Sequence, residues 1–520
     1  MKNIFKYIFI LLFIFCSYSV FYSQNKPNKP IPVSFDGNNE NKQIYSSEDS
    51  IKSLTAFREE INSLLNDKNL KGANYGIAIY SQESQKFIYQ RNVEKLLTPA
   101  SNTKLFTTFA AMSFLGPNFD IKTSVYCYPN DLNDNIINGD IYLYGRGDIN
   151  LSINDMELLA EDIKNLGIER ITGNIFADPT FFDRDFERSS YSGDNEVVEA
   201  TGPVFALSIE NNLINVLVKA SSKIGSKANV QIIPFSHSFE VRNTSKVGNV
   251  VRTKKRKGKK ATSNALTVSM KAEGDKAIFY INGTISPNQT ENYSYYNKTP
   301  EITTAGVLKE RLEVMGIKVD GNVKIGQCKE LKSGGMLEIA SCTNPLYSIM
   351  YEVNKKSNNY LAEMVFKIIG GNYRKYEVTA KSAREKIMQV LDSNYIPHKG
   401  FMLNDGCGLS RRNLVTADGL SKLLIMNRKK KWGKAFDSTF AIAGVDGTLR
   451  KRMLTTSAEN NLRGKTGTLR NVSSLAGYVG TKNRDEFIFA FIFNGPSPGY
   501  YKQIENKLGE LMANFQYYKY

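Results

Sequence analysis

The sequence predicts an α+β protein: one discontinuous domain interrupted by a large insertion. Three observations predict it. Helix and hairpin patterning stand near the start, three apolar strand-like runs and a closing helix stand near the end, and a long tract of different texture separates them. With 520 residues, 41% hydrophobic and 11% aromatic, the chain is long enough for two or three domains and a large core.

The elements follow in order. "MKNIFKYIFILLFIFCSYSVFYSQ" carries Lys2 and Lys6, then an apolar stretch from Tyr7 to Cys16, and ends in small and polar residues. This is the pattern of a secretory signal over residues 1–23, too short in its apolar part for a membrane span. Phe15 is bulky where a lipid-attachment site before Cys16 would want a small residue, so a plain signal is expected. Residues 24–49 are polar, rich in proline and asparagine, and read as a flexible linker. From Ser50 to Asp67 the apolar spacing is that of an amphipathic helix, and "ANYGIAIYSQESQKFIYQRN" alternates into a hairpin.

Next comes "TPASNTKLFT". Pro99 suits a first helical turn, and Leu105, Phe106, Phe109 and Met112 keep helical spacing until Gly116-Pro117, so Ser101 and Lys104 share one face of an expected helix. A serine hydroxyl becomes a nucleophile when a neighbouring base takes its proton, and an amine serves when burial or another cation lowers its pKa. Alone, Ser-x-x-Lys is a weak signal in a lysine-rich chain.

The middle tract mixes strand-like alternation with helices. "NGDIYLYGRGDINLSINDMELLAEDIKNLGIERITGNIFAD" and "TTAGVLKERLEVMGIKVDGNVKIG" share a helix-then-strand texture without a fixed repeat period. Residues 122–330 are expected to form one or two accessory domains, the inner one about 211–298. The discontinuous domain then takes 50–121 and 331–520. Near the end, "LRGKTGTL", "SSLAGYVGT" and "EFIFAFIFNG" read as strands and "GYYKQIENKLGELMANFQ" as a helix.

Composition excludes several chemistries. The formal net charge is +17, or +15 once Lys2 and Lys6 leave with the signal, and much of the local excess lies in "VRTKKRKGKK" at 251–260. Export argues against a nucleic-acid partner. The run reads as a solvated loop or as a peripheral contact with an anionic envelope. Four cysteines outside the signal, Cys127, Cys328, Cys342 and Cys407, allow three complete pairings in an oxidising compartment and show no metal-ligand spacing. With only His237 and His398 in the chain, a zinc site is not expected, and neither histidine stands in a nucleophile motif. No cofactor and no metal are expected.

Partners for Ser101 and Lys104 do occur, in order. "KKSNNYLAE" holds Ser357-Asn358-Asn359 at an expected helix start, and "LRGKTGTLRN" holds Lys465-Thr466-Gly467 on an expected strand. Singly, Ser357 reads as a helix cap and Lys465 as a strand lysine. Together they make the trio of Ser-x-x-Lys, Ser-x-Asn and Lys-Thr-Gly known from penicillin-binding proteins and class A β-lactamases. In that arrangement Ser101 attacks a carbonyl and Lys104 accepts its proton. Ser357 relays a proton toward the leaving amine, while Asn359 serves the substrate backbone or Lys104. Lys465 binds a carboxylate and lowers the pKa of Lys104. Gly467 is expected to let the substrate backbone lie against the strand, and the N–H groups of Ser101 and Thr468 to form an oxyanion hole, with Thr466 beside them.

The chain from about residue 50 to 520 resembles the class C low-molecular-mass penicillin-binding proteins, the D-alanyl-D-alanine carboxypeptidase/endopeptidase family. "GDIYLYGRGD", "ITGNIFADPTFF", "NDGCGLSRRN", "AGVDGTLRKR" and "GKTGTLRNVSSLAGYVG" carry the resemblance, with a gap of about 250 residues between Ser101 and Ser357. It implies a penicillin-recognising serine hydrolase fold, β-lactamase/transpeptidase-like, whose five-stranded antiparallel sheet is flanked by helices and interrupted by accessory domains. It also implies peptidoglycan peptides as substrate, β-lactam antibiotics as inhibitors, and a periplasmic site or one at the outer face of the cytoplasmic membrane. "DGCGLSR" departs from the family's pattern, with Cys407 in place of a serine. The resemblance further puts Leu409-Ser410-Arg411 at the cleft border and Gly147-Asp148 nearby, where Asp148 and Arg411 could hold the ammonium and carboxylate of a diamino-acid cross-link. Asp148 as a turn cap and Arg411 as a structural residue stay open. The expected activity is that of an exported serine carboxypeptidase/endopeptidase acylated on Ser101. A β-lactamase with the same residues and a wall-binding scaffold without turnover are the alternatives.

Overall fold

The computed structural model describes residues 47–194, 201–250, 265–274, 276–371 and 377–517. The expected signal, residues 24–46 of the expected linker and the basic run at 251–260 lie outside them. Helix α1 (Ser47–Leu65) takes in residues 47–49 of the stretch expected as linker, with Glu48 and Asp49 in its first turn, where acidic side chains suit the helix dipole. Ile51–Tyr517 makes one compact unit; of the remainder, only residues 47–50 are described.

The hairpin is β1 (Asn74–Ser81) and β2 (Lys86–Arg91). A single turn over Ala100–Asn102 then leads into α2 (Thr103–Phe114), whose residues from Thr103 to Met112 are all buried. Its polar members Lys104, Thr107 and Thr108 are buried with hydrogen-bond partners. Late in the chain come α3 (Asn359–Ile369), β3 (Arg463–Leu469), β4 (Val472–Gly480), β5 (Glu486–Asn494) and α4 (Pro498–Asn514). The strands form one antiparallel sheet in the order β2-β1-β5-β4-β3. A sixth strand of two residues, Ala441–Ile442, adds to the five expected and extends the edge beyond β3.

Strand β5 explains the layering. Phe487, Phe489, Phe491 and Phe493 pack with Phe57 and Ile61 of α1 and Leu508 and Met512 of α4, while Ile488, Ala490 and Ile492 face Phe106, Phe109 and Phe366 of the helical layer. Alternate side chains point to opposite faces, so a strand covered on both sides is apolar throughout. The sheet therefore sits between two helical layers, and β3 lies near its open edge.

The insertion leaves and returns through neighbouring strands, Asp120–Cys127 paired antiparallel with Leu337–Pro345. The seam expected at 122 and 330 thus runs through one sheet. That five-stranded sheet also holds Ile141–Tyr144, Ile175–Asp178 and Val323–Ile325. The two stretches of shared texture lie side by side there. Each is a helix (Ile153–Asn165; Pro300–Val314) followed by strands, and the strands pair parallel, Ile175–Asp178 with Val323–Ile325 and Arg170–Ile171 with Lys318–Val319. Between them, the described residues from Leu213 to Tyr296 build small sheets around a separate core containing Val216, Phe279 and Ile281.

The seating of β3 on β4 depends on small residues, since Gly464 stands opposite Gly477. A Cβ on Gly477 would lie 1.9 Å from the Arg463 carbonyl oxygen and 2.7 Å from the Gly464 Cα, both backbone atoms. Gly477→Ala is expected to cost about 1–3 kcal/mol, read as a lower midpoint in guanidinium unfolding.

Candidate active site

Sequence spacing predicts one helix from Pro99 onward, and the structure divides it. Ser101 lies in the 3₁₀ turn ahead of α2, and Ala100 before it has φ of 49°, the left-handed region that residues with a side chain rarely enter. Neighbours hold the turn. The Ser474 hydroxyl donates to the Pro99 carbonyl at 2.7 Å and accepts from Asn102 Nδ2 at 2.8 Å. Gly408, at φ 86°, lies so close that a Cβ there would meet the Ala100 carbonyl oxygen at 2.0 Å.

The same crowding supplies a second reason for Gly467. A Cβ on it would sit 2.6 Å from the Pro99 carbonyl oxygen, 3.0 Å from the Ser101 amide nitrogen and 2.3 Å from Ser474 Oγ. The glycine admits the chain's own Ser101 turn.

Lys104 is fully buried. Its Nζ donates to Ser101 Oγ at 3.0 Å, to Asn359 Oδ1 at 2.6 Å and to the Cys407 carbonyl at 2.6 Å. An ammonium has three N–H donors, and here one neighbouring acceptor and two from distant parts of the chain meet them. Opposite, the buried Lys465 donates to Ser357 Oγ at 2.8 Å and to the Thr466 carbonyl at 2.9 Å. Burial first, then the charge of Lys104, holds its pKa well below the ordinary lysine range. Ser357 has φ of 62° just ahead of α3, and the cap of that helix is Asn358, which accepts from the Leu361 amide at 3.1 Å. The structure thus gathers Ser101, Lys104, Ser357, Asn359 and Lys465. On β3, Thr466 Oγ1 donates to Thr448 Oγ1 at 2.8 Å, and Thr468 is exposed.

Other expected residues stand elsewhere. Asp148 is 1% exposed, too enclosed to meet a substrate ammonium. Its carboxylate accepts from Asn344 Nδ2 at 2.9 Å and from the Asn150 amide at 3.1 Å, and burial pushes its pKa up to about 7 against those hydrogen bonds. This is the turn-capping alternative. Leu409 is packed in the main core, and the Arg411 amide donates to Asp194 Oδ2 at 2.9 Å. The Cys407 thiol is buried, and burial followed by the charges of Asp405 and Glu363 raises its pKa well above the usual range, so it stays protonated and unreactive. Cys127 and Cys342 are likewise buried thiols. His237 pairs with Glu313 and His398 with Asp392.

Residues that sequence reasoning passed over stand behind Lys104. Glu363 Oε1 accepts the Cys407 amide at 2.7 Å, and Asp405 accepts the amides of Gly408 at 2.8 Å and Ser410 at 2.7 Å. Glu363, Asp405 and Cys407 offer ligand atoms within 4.8 Å of one another, but both carboxylates are occupied in holding the loop's N–H groups. Glu363 had a signal: it follows Asn359 by four residues, on the same helix face. Ser474 had none, because its partners Asn102 and Pro99 are hundreds of residues away.

The chain is similar to known proteins over most of its length. The profile of the D-Ala-D-Ala carboxypeptidase 3 (S13) family matches residues 57–515. A D-alanyl-D-alanine carboxypeptidase from an Actinomadura species is 28% identical over 85% of this chain and 82% of its own length. The D-alanyl-D-alanine carboxypeptidase DacB of Haemophilus influenzae is 24% identical over 86% of this chain and 91% of its own. The crystal structure of penicillin binding protein 4 (dacB) from Haemophilus influenzae shares the fold, with a TM-score of 0.66 at 21% identity over 88% of this chain and 99% of that one.

One pH dependence follows. Burial first, then Asp405, raises the Glu363 pKa from 4.5 to about 7. The folded form therefore keeps a proton that the unfolded chain releases, so this group's contribution is full below the unfolded pKa and is lost as pH rises through about 7. Relative to Glu363→Gln, the wild type is expected to lose on the order of 1 kcal/mol of unfolding free energy per pH unit between about pH 5 and 7, measured by chemical denaturation across that range.

Proposed function

The chain belongs to the D-Ala-D-Ala carboxypeptidase 3 (S13) family, a serine-type carboxypeptidase hydrolase acting on peptidoglycan peptides, and on that premise we propose how its residues carry the reaction. The observation that supports the assignment of roles is the 3.0 Å contact between the fully buried Lys104 Nζ and the partly exposed Ser101 Oγ. Lys104 in its neutral form takes the Ser101 proton as the hydroxyl attacks the penultimate D-alanine carbonyl. Asn359 and the Cys407 carbonyl orient the amine. The N–H groups of Ser101 and Thr468 receive the developing oxyanion. The proton taken by Lys104 is relayed through Ser357, held at 2.8 Å by Lys465, to the leaving D-alanine amine, while Lys465 keeps its charge and with the Thr466 hydroxyl attracts the substrate's terminal carboxylate. Water then attacks the acyl-enzyme and releases the shortened peptide.

The same steps on a D-alanine joined to a neighbouring stem cut a cross-link, which is endopeptidase activity. β-Lactams, which present a strained amide in place of the D-alanyl-D-alanine bond, acylate Ser101 and leave slowly. A structure of penicillin binding protein 4 from Haemophilus influenzae, which shares this fold, is described as complexed with a β-lactam. The N-terminal pattern of residues 1–23 supports export to the periplasm or the outer face of the cytoplasmic membrane, where the basic run at 251–260 contacts the anionic envelope.

Intact mass after incubation with benzylpenicillin tests the roles. A stable adduct of one drug is expected on the wild type and none on Ser101→Ala, with Lys104→Ala slowing acylation by roughly 10²- to 10⁴-fold. An adduct that survives in Ser101→Ala removes Ser101 as nucleophile. Rapid drug hydrolysis without an adduct makes the protein a β-lactamase, and no adduct with intact drug favours a wall-binding scaffold.

A further inference from the structure

The insertion does more than leave and rejoin the peptidase domain. Its segment from Asp183 to Asp194 runs along α3 and the loop at 405–411. Asp183 pairs with the fully buried Lys367, the Tyr191 hydroxyl donates to Glu363 Oε2 at 2.8 Å, and the Ser192 carbonyl accepts from Ser410 Oγ at 3.0 Å. Asn359, Glu363 and Lys367 are four residues apart, a single polar stripe on a helix that is otherwise apolar. One end of the stripe holds Lys104. The other two members hold the insertion.

The shortest connection runs through Arg188. Its Nη1 lies 3.0 Å from Asp405 Oδ2, with the two side chains 7% and 0% exposed. Asp405 Oδ1 in turn accepts the Gly408 N–H at 2.8 Å, and the Cys407 carbonyl accepts from Lys104 at 2.6 Å. That N–H and that carbonyl are the two ends of one planar peptide unit, so rotating one rotates the other. Burial opposes the charge of Arg188, and Asp405 restores it. Without the guanidinium, the fully buried Asp405 carboxylate would lose its cation in a dry interior, at the cost of its grip on the loop.

We propose that Arg188 of the insertion is a positioning residue for acylation, acting through Asp405 on the Cys407–Gly408 peptide unit whose carbonyl orients Lys104. The inference rests on the reading of Lys104 as the base toward Ser101. It makes the insertion part of the catalytic apparatus rather than a separable module.

The test is transient kinetics of benzylpenicillin acylation on the full chain, which separates drug binding from the acylation step. Arg188→Gln is expected to lower the saturating acylation rate constant roughly ten- to a hundred-fold, leave the half-saturating concentration within about threefold, and still acylate one site per folded chain. Arg188→Lys, which keeps the charge on a donor without the planar fork, is expected between the two. A purely structural role would lower the fraction of active chains while those chains react at the wild-type rate constant, and that result overturns the proposal. Where Arg188→Gln fails to fold, Arg188→Lys decides: a wild-type rate constant overturns the proposal, and a reduced one at unchanged half-saturation supports it. A Ser101→Ala control that still forms the adduct withdraws the underlying reading, whereas a clean control with unaffected Arg188 variants withdraws this proposal alone.

Discussion

A lysine amine sealed from water is the constraint around which the peptidase domain is organised. Lys104 donates to Ser101 three residues away, to Asn359 across 255 residues and to Cys407 across 303. A buried ammonium without partners costs several kcal/mol, so its acceptors must arrive together or the fold is penalised. Three separate segments, the Ser101 turn, the start of α3 and the loop at 405–411, are thereby held to common positions. Lys465 adds a second buried amine whose protonation Lys104 opposes, so the two cannot both be charged without cost.

Close approach is the second physical theme. The Ser101 turn is wedged between β3 and the 405–411 loop with no room for a side chain on Gly467 or Gly408. Ala100 enters the left-handed region within this wedge, and the Ser474 hydroxyl and Asn102 amide pin the turn to β4. Strain of this kind persists where surrounding contacts over-determine the backbone. Here those contacts come from the sheet, which is itself fixed by apolar side chains on both faces of β5.

The insertion is joined to this site by charge as well as by chain. Its leaving strand Asp120–Cys127 pairs with the returning Leu337–Pro345, which would permit an independent module. Buried polar contacts from Asp183, Arg188 and Tyr191 instead tie it to α3 and to Asp405. Partnered charges of this sort add little to stability, yet removing one partner leaves the other exposed to a low-dielectric interior. They therefore specify a geometry more than they strengthen it.

By itself, the sequence determined the elements with strong periodicity and the chemical identity of the cluster. The hairpin, α2, the three late strands and α4 were legible because apolar alternation and helical spacing are local properties. Ser101, Lys104, Ser357, Asn359 and Lys465 were legible because their motifs are short. Only the tertiary structure decided what depends on contacts between distant segments. It made the Cys407 backbone carbonyl, rather than its thiol, the group that meets Lys104, and it enclosed Asp148 as a turn cap. It turned Gly467 toward the Ser101 turn, and it set Arg188 against Asp405. Burial and hydrogen-bond pairing are properties of the packed chain, and no reading of local pattern contains them.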